Sequence, residues 1–257
     1  YQLFQKLITE DFSVTPERLA GPILRMIKKE PTIKNAIKKI NYNSTNDEII
    51  EIIDYLSTSS LLLELMRKCP LPDMEMETLL SHIRRFLLLN IYKISRKTSF
   101  DQVLSALSMQ CFINEYVYFE SEVEKNRVSE LEGWLREKIA KEAKPSDYEL
   151  LCLSCYRPLS HFKLSRKVSF SVDFSENQKL SLENPLLEAQ LKKSIKTYKK
   201  VTNELSKKVR EQYEKYPYPR WIKPSLINEA KTIIEVAEDI DLNIEKSPFE
   251  NIKMPKI

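Results

Sequence analysis

The sequence predicts an all-α fold, an irregular multi-helix bundle with a long basic helix toward its C-terminal end. Only two glycines, Gly21 and Gly133, occur in 257 residues, which leaves almost no material for hairpin turns, barrel corners or phosphate-cradling loops. The composition is rich in Leu, Ile, Lys and Glu, which points to a mostly helical protein. Apolar residues recur at three- and four-residue steps over most of the chain. A chain of this length can bury roughly 70–75% of the surface that its unfolded form exposes.

Residues 1–70 read as short helices separated by prolines and Asn-rich turns. Thr15-Pro16-Glu17 supplies a capping residue, a proline at the first helical position and an acid in the first turn, and Pro22 is expected to limit or restart that helix. Asn46 can cap a helix whose Ile49, Ile52, Ile53 and Leu56 share a stripe, and Leu61 to Met66 continue the apolar pattern.

Residues 71–184 form the expected helical core. Asp73 caps a helix carrying Met76, Leu79, Leu80, Ile83, Leu87, Ile91 and Ile94. Ser99 opens a second, carrying Val103, Leu104, Leu107, Cys111 and Val117, and the two should pack antiparallel. A charged helix from about Glu122 to Glu142 turns Val128, Leu131, Trp134, Leu135 and Ile139 inward. Ser146-Asp147-Tyr148-Glu149 is a capping-box pattern opening a helix with Leu150, Leu151, Leu153 and Cys155. Lys167 to Asp173 alternate apolar and polar residues, an extended pattern with no obvious partner strand, so a loop or an isolated edge is expected.

Residues 185–221 hold a long helix from Pro185 through Leu186, Leu187, Leu191, Ile195, Tyr198, Val201, Leu205 and Val209 to Tyr213, then the run Tyr216-Pro217-Tyr218-Pro219-Arg220-Trp221. Residues 222–257 give a last helix, capped by Ser225 and carrying Leu226, Ala230, Ile233, Ile234 and Ala237, followed by a Ser247-Pro248 linker. The opening Tyr1 and the closing Lys253-Met254-Pro255-Lys256-Ile257 suggest an excised piece of a longer protein.

The formal charge of +4 is unevenly placed: nine Lys and two Arg against three Glu put +8 between Gln190 and Lys223, leaving −4 elsewhere. Such a segment attracts anions of many kinds. Cys69, Cys111, Cys152 and Cys155 stand among apolar neighbours without a secretion signal, and no apolar stretch is long enough to cross a bilayer, so a reducing cytoplasm and no membrane partner are expected.

Several residues invite a chemical reading. The Cys152/Cys155 pair has metal-site spacing but no second pair, and its helical face is apolar, which favours core packing. His82 and His161 stand alone, without a neighbouring nucleophile. Gln110, Asn114 and Glu115 form a polar seam in an otherwise apolar helix: it fixes helix register, cradles a loop, or touches a ligand. Glu115 has no second carboxylate at a spacing useful for acid–base work. The lysine-rich helix reads as a solvated face, or as a single-strand nucleic-acid surface in which Tyr198, Tyr213, Tyr216, Tyr218 and Trp221 stack on bases. In the proline-aromatic run, fixed φ angles stiffen three rings and the Arg220 guanidinium, so little entropy is lost on docking.

Lys208-Val209-Arg210-Glu211-Gln212-Tyr213-Glu214-Lys215 running into Tyr216–Trp221, together with Gln110-Cys111-Phe112-Ile113-Asn114-Glu115-Tyr116-Val117-Tyr118, resembles the region preceding the catalytic domain in bacterial proteins that join tetratricopeptide repeats to a class I S-adenosylmethionine-dependent methyltransferase. The likeness runs from about Leu61 to the C-terminal end; family members usually have Asn where this chain has Tyr216, a change that leaves the stiff ribbon intact. The resemblance implies that Lys253 to Ile257 lead into the first strand of a methyltransferase sheet. The glycine-rich turn that holds S-adenosylmethionine would lie in that sheet, so the chain itself binds no cofactor and has no catalytic residue. It further implies a helical accessory or lid region, with the downstream methyltransferase domain and upstream repeats as partners. Tyr213, Tyr216, Tyr218, Arg220, Trp221, Asn114 and Glu115 are then the candidates for substrate or domain contact. The rival readings are a helical scaffold for a partner protein and, more weakly, single-stranded nucleic-acid binding.

Overall fold

The computed structural model describes residues 1–9, 15–40, 44–162, 167–195, 203–215 and 232–239. Among these the secondary structure is helical, with no strand. Internal contacts divide the chain into Tyr1–Lys223 and Pro224–Ile257.

Nine α-helices build the body of the first unit: α1 (Gln2–Thr9), α2 (Pro16–Ile27), α3 (Pro31–Lys39), α4 (Asn46–Thr58), α5 (Ser60–Lys68), α6 (Met74–Leu89), α7 (Thr98–Ile113), α8 (Glu122–Ala140) and α9 (Asp147–Ser154). Their ends follow local side-chain chemistry. Thr45 and Ser121, like the expected Ser146, close reciprocal capping boxes with Glu48, Glu124 and Glu149, and the Asp73 carboxylate accepts from Met76 N–H at 3.0 Å. The cap of α4 is thus Thr45 rather than Asn46. Helix α7 begins one residue before Ser99, whose hydroxyl instead donates to Asp54 across the bundle at 2.5 Å. Pro22 neither limits nor restarts α2, which continues through it to Ile27.

Helix α7 is the axis of the bundle. Every residue from Val103 to Ile113 is buried, because α5, α9 and α4 pack around it. The expected antiparallel pairing of α6 with α7 is a minor contact; α6 lies mainly along α8 and α3. A helix enclosed on all sides needs partners for its polar groups, and three supply the answer here. With its amide oriented to suit its neighbours, Gln110 donates to the carbonyls of Cys69 (3.0 Å) and Met66 (3.1 Å) and accepts from Leu71 N–H (3.3 Å), which pins α7 to the turn between α5 and α6. Ser105 and Ser108 meet the buried Asn177: Asn177 Oδ1 accepts from Ser105 Oγ at 2.8 Å, and its Nδ2 donates to Ser105 O at 3.0 Å and Ser108 Oγ at 2.8 Å.

Asn177 belongs to α10 (Ser175–Gln178), which passes through a π-helical turn at Lys179–Glu183 into α11 (Asn184–Leu191). Before it, the alternating residues 167–171 run as a loop that buries Val168 and Phe170, and Val172–Phe174 form a 3₁₀ turn. The expected single long helix is interrupted: α11 ends at Leu191, residues 192–195 form turns, and α12 (Glu204–Lys215) follows. No residue of α11 is buried, and every described side chain of α12 is exposed. Helices this short gain little without a surface against which to bury a face. In the second unit, Thr232 and Glu235 close a capping box at the start of α13 (Ile233–Asp239). The expected cap Ser225 lies outside the described residues.

Candidate functional site

The most elaborated surface feature grows out of the end of α7. Glu115 and Tyr116 both adopt left-handed backbone conformations, φ 56° and 59°, and Tyr116 N–H donates back to Cys111 O at 2.8 Å. Two successive non-glycine residues in this region are costly, and such strain persists only where surroundings impose it. The turn ends the helical path, and Val117, expected on the buried stripe of α7, is 65% exposed. Tyr118 then points inward and Phe119 outward, 71% exposed, with Val123 exposed beside them in sequence.

What holds this segment is Arg84 of α6, a side chain 2% exposed on an otherwise apolar face. Its Nη2 donates to Phe119 O at 2.6 Å, its Nη1 reaches Cys155 O at 3.5 Å, and its guanidinium stacks over Tyr156 at 4.2 Å from the ring centre. The compensating charge is Glu124, also buried, 3.7 Å from Arg84 and 3.8 Å from Arg85. Glu124 further accepts from Tyr156 Oη (2.8 Å), Ser121 Oγ (2.6 Å) and Ser121 N (3.0 Å). Arg157 grips Glu120 with two bonds of 2.8 Å each. The backbone of 118–121 is therefore clamped from α6, α8 and the end of α9, while Val117 and Phe119 face outward.

Beside Phe119 lies a cleft of about 150 Å³, lined by Glu77, Thr78, Ser81, His82 and Arg85 among others. That volume is below the roughly 300 Å³ at which small-molecule sites begin. His82 Nδ1 lies 2.8 Å from Thr78 O, an intrahelical partner rather than a nucleophile. Among the described residues no cluster of His, Cys, Asp and Glu can hold a metal ion. All four cysteines are buried thiols. Burial pushes the Cys69 thiol up to about 12 and raises Cys155 well above its ordinary value. Burial acts on Cys111 in the same direction, but its hydrogen bond with Cys155 and the Arg84 charge outweigh it and lower the thiol. With no solvent access, these groups serve packing.

Of the residues singled out in the sequence, Asn114 is buried at the C-cap of α7, its N–H donating to Gln110 O at 3.0 Å, and Glu115 is half-buried in the left-handed turn. Tyr213 stands 68% exposed on α12. Tyr216, Tyr218, Arg220 and Trp221 lie outside the described residues. Arg84, Phe119 and Glu124 escaped sequence reasoning, although two signals were present. Arg84 interrupts the Leu80, Ile83, Leu87 stripe of α6, and Ser121-Glu122-Val123-Glu124 has the capping-box spacing. No family model, curated protein or solved structure matches this chain.

Proposed function

We propose that this chain is a helical accessory region that binds rather than catalyses, and that residues 115–123 are its docking platform. The observation that carries the reading is the clamped loop: Val117 and Phe119 are held outward by a buried arginine and two backbone conformations that ordinary residues avoid. A rigid presentation of this kind reduces the ordering cost of association, which is where much binding energy is otherwise lost. The small size of the cleft beside it, about 150 Å³, favours a macromolecular partner.

The identity of the partner rests on the resemblance alone. Residues 110–118 and 208–221 carry it, and the first of these segments leads into the platform. On that ground the docked body is the S-adenosylmethionine-dependent methyltransferase domain expected beyond Ile257, with Tyr218, Arg220 and Trp221 as lid or substrate wall at its mouth. The cofactor belongs to that domain. A strand followed by a glycine-rich turn in the coding sequence past Ile257 supports the assignment, and a stop codon removes it. In the parent protein, replacing Tyr218, Arg220 and Trp221 by Ala should depress methyl transfer; unaltered cofactor binding and turnover would remove the lid.

The second reading is a scaffold for an unrelated protein, which the same platform equally favours. It gains if the fragment captures a partner while failing to bind the methyltransferase domain supplied in trans.

A further inference from the structure

The platform leaves one other surface unexplained. Leu187, Leu191 and Ile195, and again Leu205, Val209 and Tyr213, are exposed at successive four-residue steps, in α11 with the turn that follows it and in α12. Leu205, Val209 and Tyr213 form one ridge along α12. In α12, whose Leu205 is 72% exposed, successive residues turn by about 100°, so the order of chemistry around the helix can be read directly. Ser206 and Gln212 flank the ridge at roughly 60° on either side, Lys208 and Arg210 follow at roughly 100° on either side, and Glu204, Lys207 and Glu211 occupy the far pole. Apolar, then cationic, then largely anionic is an ordering by depth.

We propose that α12 binds in the plane of an anionic phospholipid surface. The ridge enters the headgroup boundary, Lys208 and Arg210 reach lipid phosphates from its two borders, Arg210 exchanging its present partner for them, and Glu204 and Glu211 face water. Charge selects this occupant. A second copy of the same helix would bring Lys208 and Arg210 against like charges, which disfavours self-pairing, and a nucleic-acid strand would leave Leu205 and Val209 without a function. No helix among the described residues is long and apolar enough to cross a membrane, which is no obstacle to one lying on it. The inference goes beyond the docking function and does not use the 115–123 platform.

Co-sedimentation of the full 257-residue chain with vesicles tests it. Vesicles of phosphatidylcholine containing about 30 mol% phosphatidylserine should bind the chain and pure phosphatidylcholine vesicles should not, with binding weakened by salt. At about fivefold per cation, Lys208→Glu with Arg210→Glu should cost at least about 25-fold in partition. Leu205→Asp with Val209→Asp should abolish pelleting and leave the thermal melt unchanged, since both side chains are exposed. No pelleting with the phosphatidylserine vesicles, pelleting that either double variant leaves intact, or salt-sensitive oligonucleotide binding without vesicle binding would overturn the proposal.

Discussion

Replacing Arg84 by Met keeps most of the side-chain volume and removes the charge that clamps the loop. Three losses follow from the geometry. Phe119 O loses a 2.6 Å bond from a charged donor, worth about 1.5–3 kcal/mol. The stacking over Tyr156, at 4.2 Å, contributes about 1 kcal/mol. Glu124 loses one counter-charge but keeps Arg85, Ser121 and Tyr156, so its cost falls well short of the roughly 3–5 kcal/mol of a fully orphaned buried charge. Met returns part of this through apolar contact, leaving a net destabilisation of about 3 kcal/mol. For a body of this size that corresponds to a fall in Tm of about 6–12 °C. Denaturant unfolding of wild type, Arg84→Met, Glu124→Gln and the double variant measures the coupling directly. The double variant should be less destabilised than the sum of the two singles, because neither partner is then left charged and alone. Amide exchange at 118–121 should accelerate in Arg84→Met beyond the change in global stability. Strictly additive single effects, or a loss below about 1 kcal/mol with unaltered exchange, would refute the clamp.

Other outcomes follow from the same geometry. Glu149 is buried, and although burial alone would raise its carboxyl, bonds from Lys138 (2.6 Å), Tyr92 (2.6 Å) and Ser146 N–H (2.8 Å) hold it below its usual value. A depressed folded-state value adds stability that is present above the unfolded value of about 4.3 and is lost as pH falls through the folded one. Glu149→Gln should therefore cost about 2–3 kcal/mol at neutral pH and flatten the acid limb of the stability profile below about pH 4; an acid limb as steep as wild type would contradict this. Asn177→Ala strips three bonds to α7 and should cost about 2–3 kcal/mol by chemical denaturation, a near-neutral result being incompatible with the pin. Gln110→Leu strands two carbonyls and one N–H and should cost about 3 kcal/mol in the same assay. Phe119→Asp, by contrast, should change stability by less than about 0.5 kcal/mol, since its ring is already in water.

Much of the helical architecture was legible because it is written in local chemistry. Asp73 and the Ser146/Glu149 box start helices where their spacing indicates, and Val128, Leu131, Leu135 and Ile139 of α8 are buried as their period requires, with Trp134 of the same stripe half-buried. What the sequence hid is non-local. The burial of α7 on all sides depends on three other helices, so a single stripe underestimates it. The exposure of Val117 depends on a left-handed turn at Glu115 and Tyr116, residues whose types do not announce it. The role of Arg84 depends on partners 35 and 71 residues away. Helix α11 ends at Leu191 and residues 192–195 form turns although the apolar period continues, so periodicity alone does not sustain a helix. The proline-aromatic run lies outside the described residues, so its expected role passes unchanged into the proposal.

The central proposal is that Val117 and Phe119 dock the methyltransferase domain proposed to follow Ile257. Calorimetric titration of the methyltransferase region expected beyond Ile257 with this chain, wild type against Phe119→Asp, tests it most directly. The account predicts saturable binding that weakens at least about tenfold in the variant, corresponding to about 1.4 kcal/mol, with an unchanged melting temperature. Equal affinity for the two chains, or no binding by either, would contradict it.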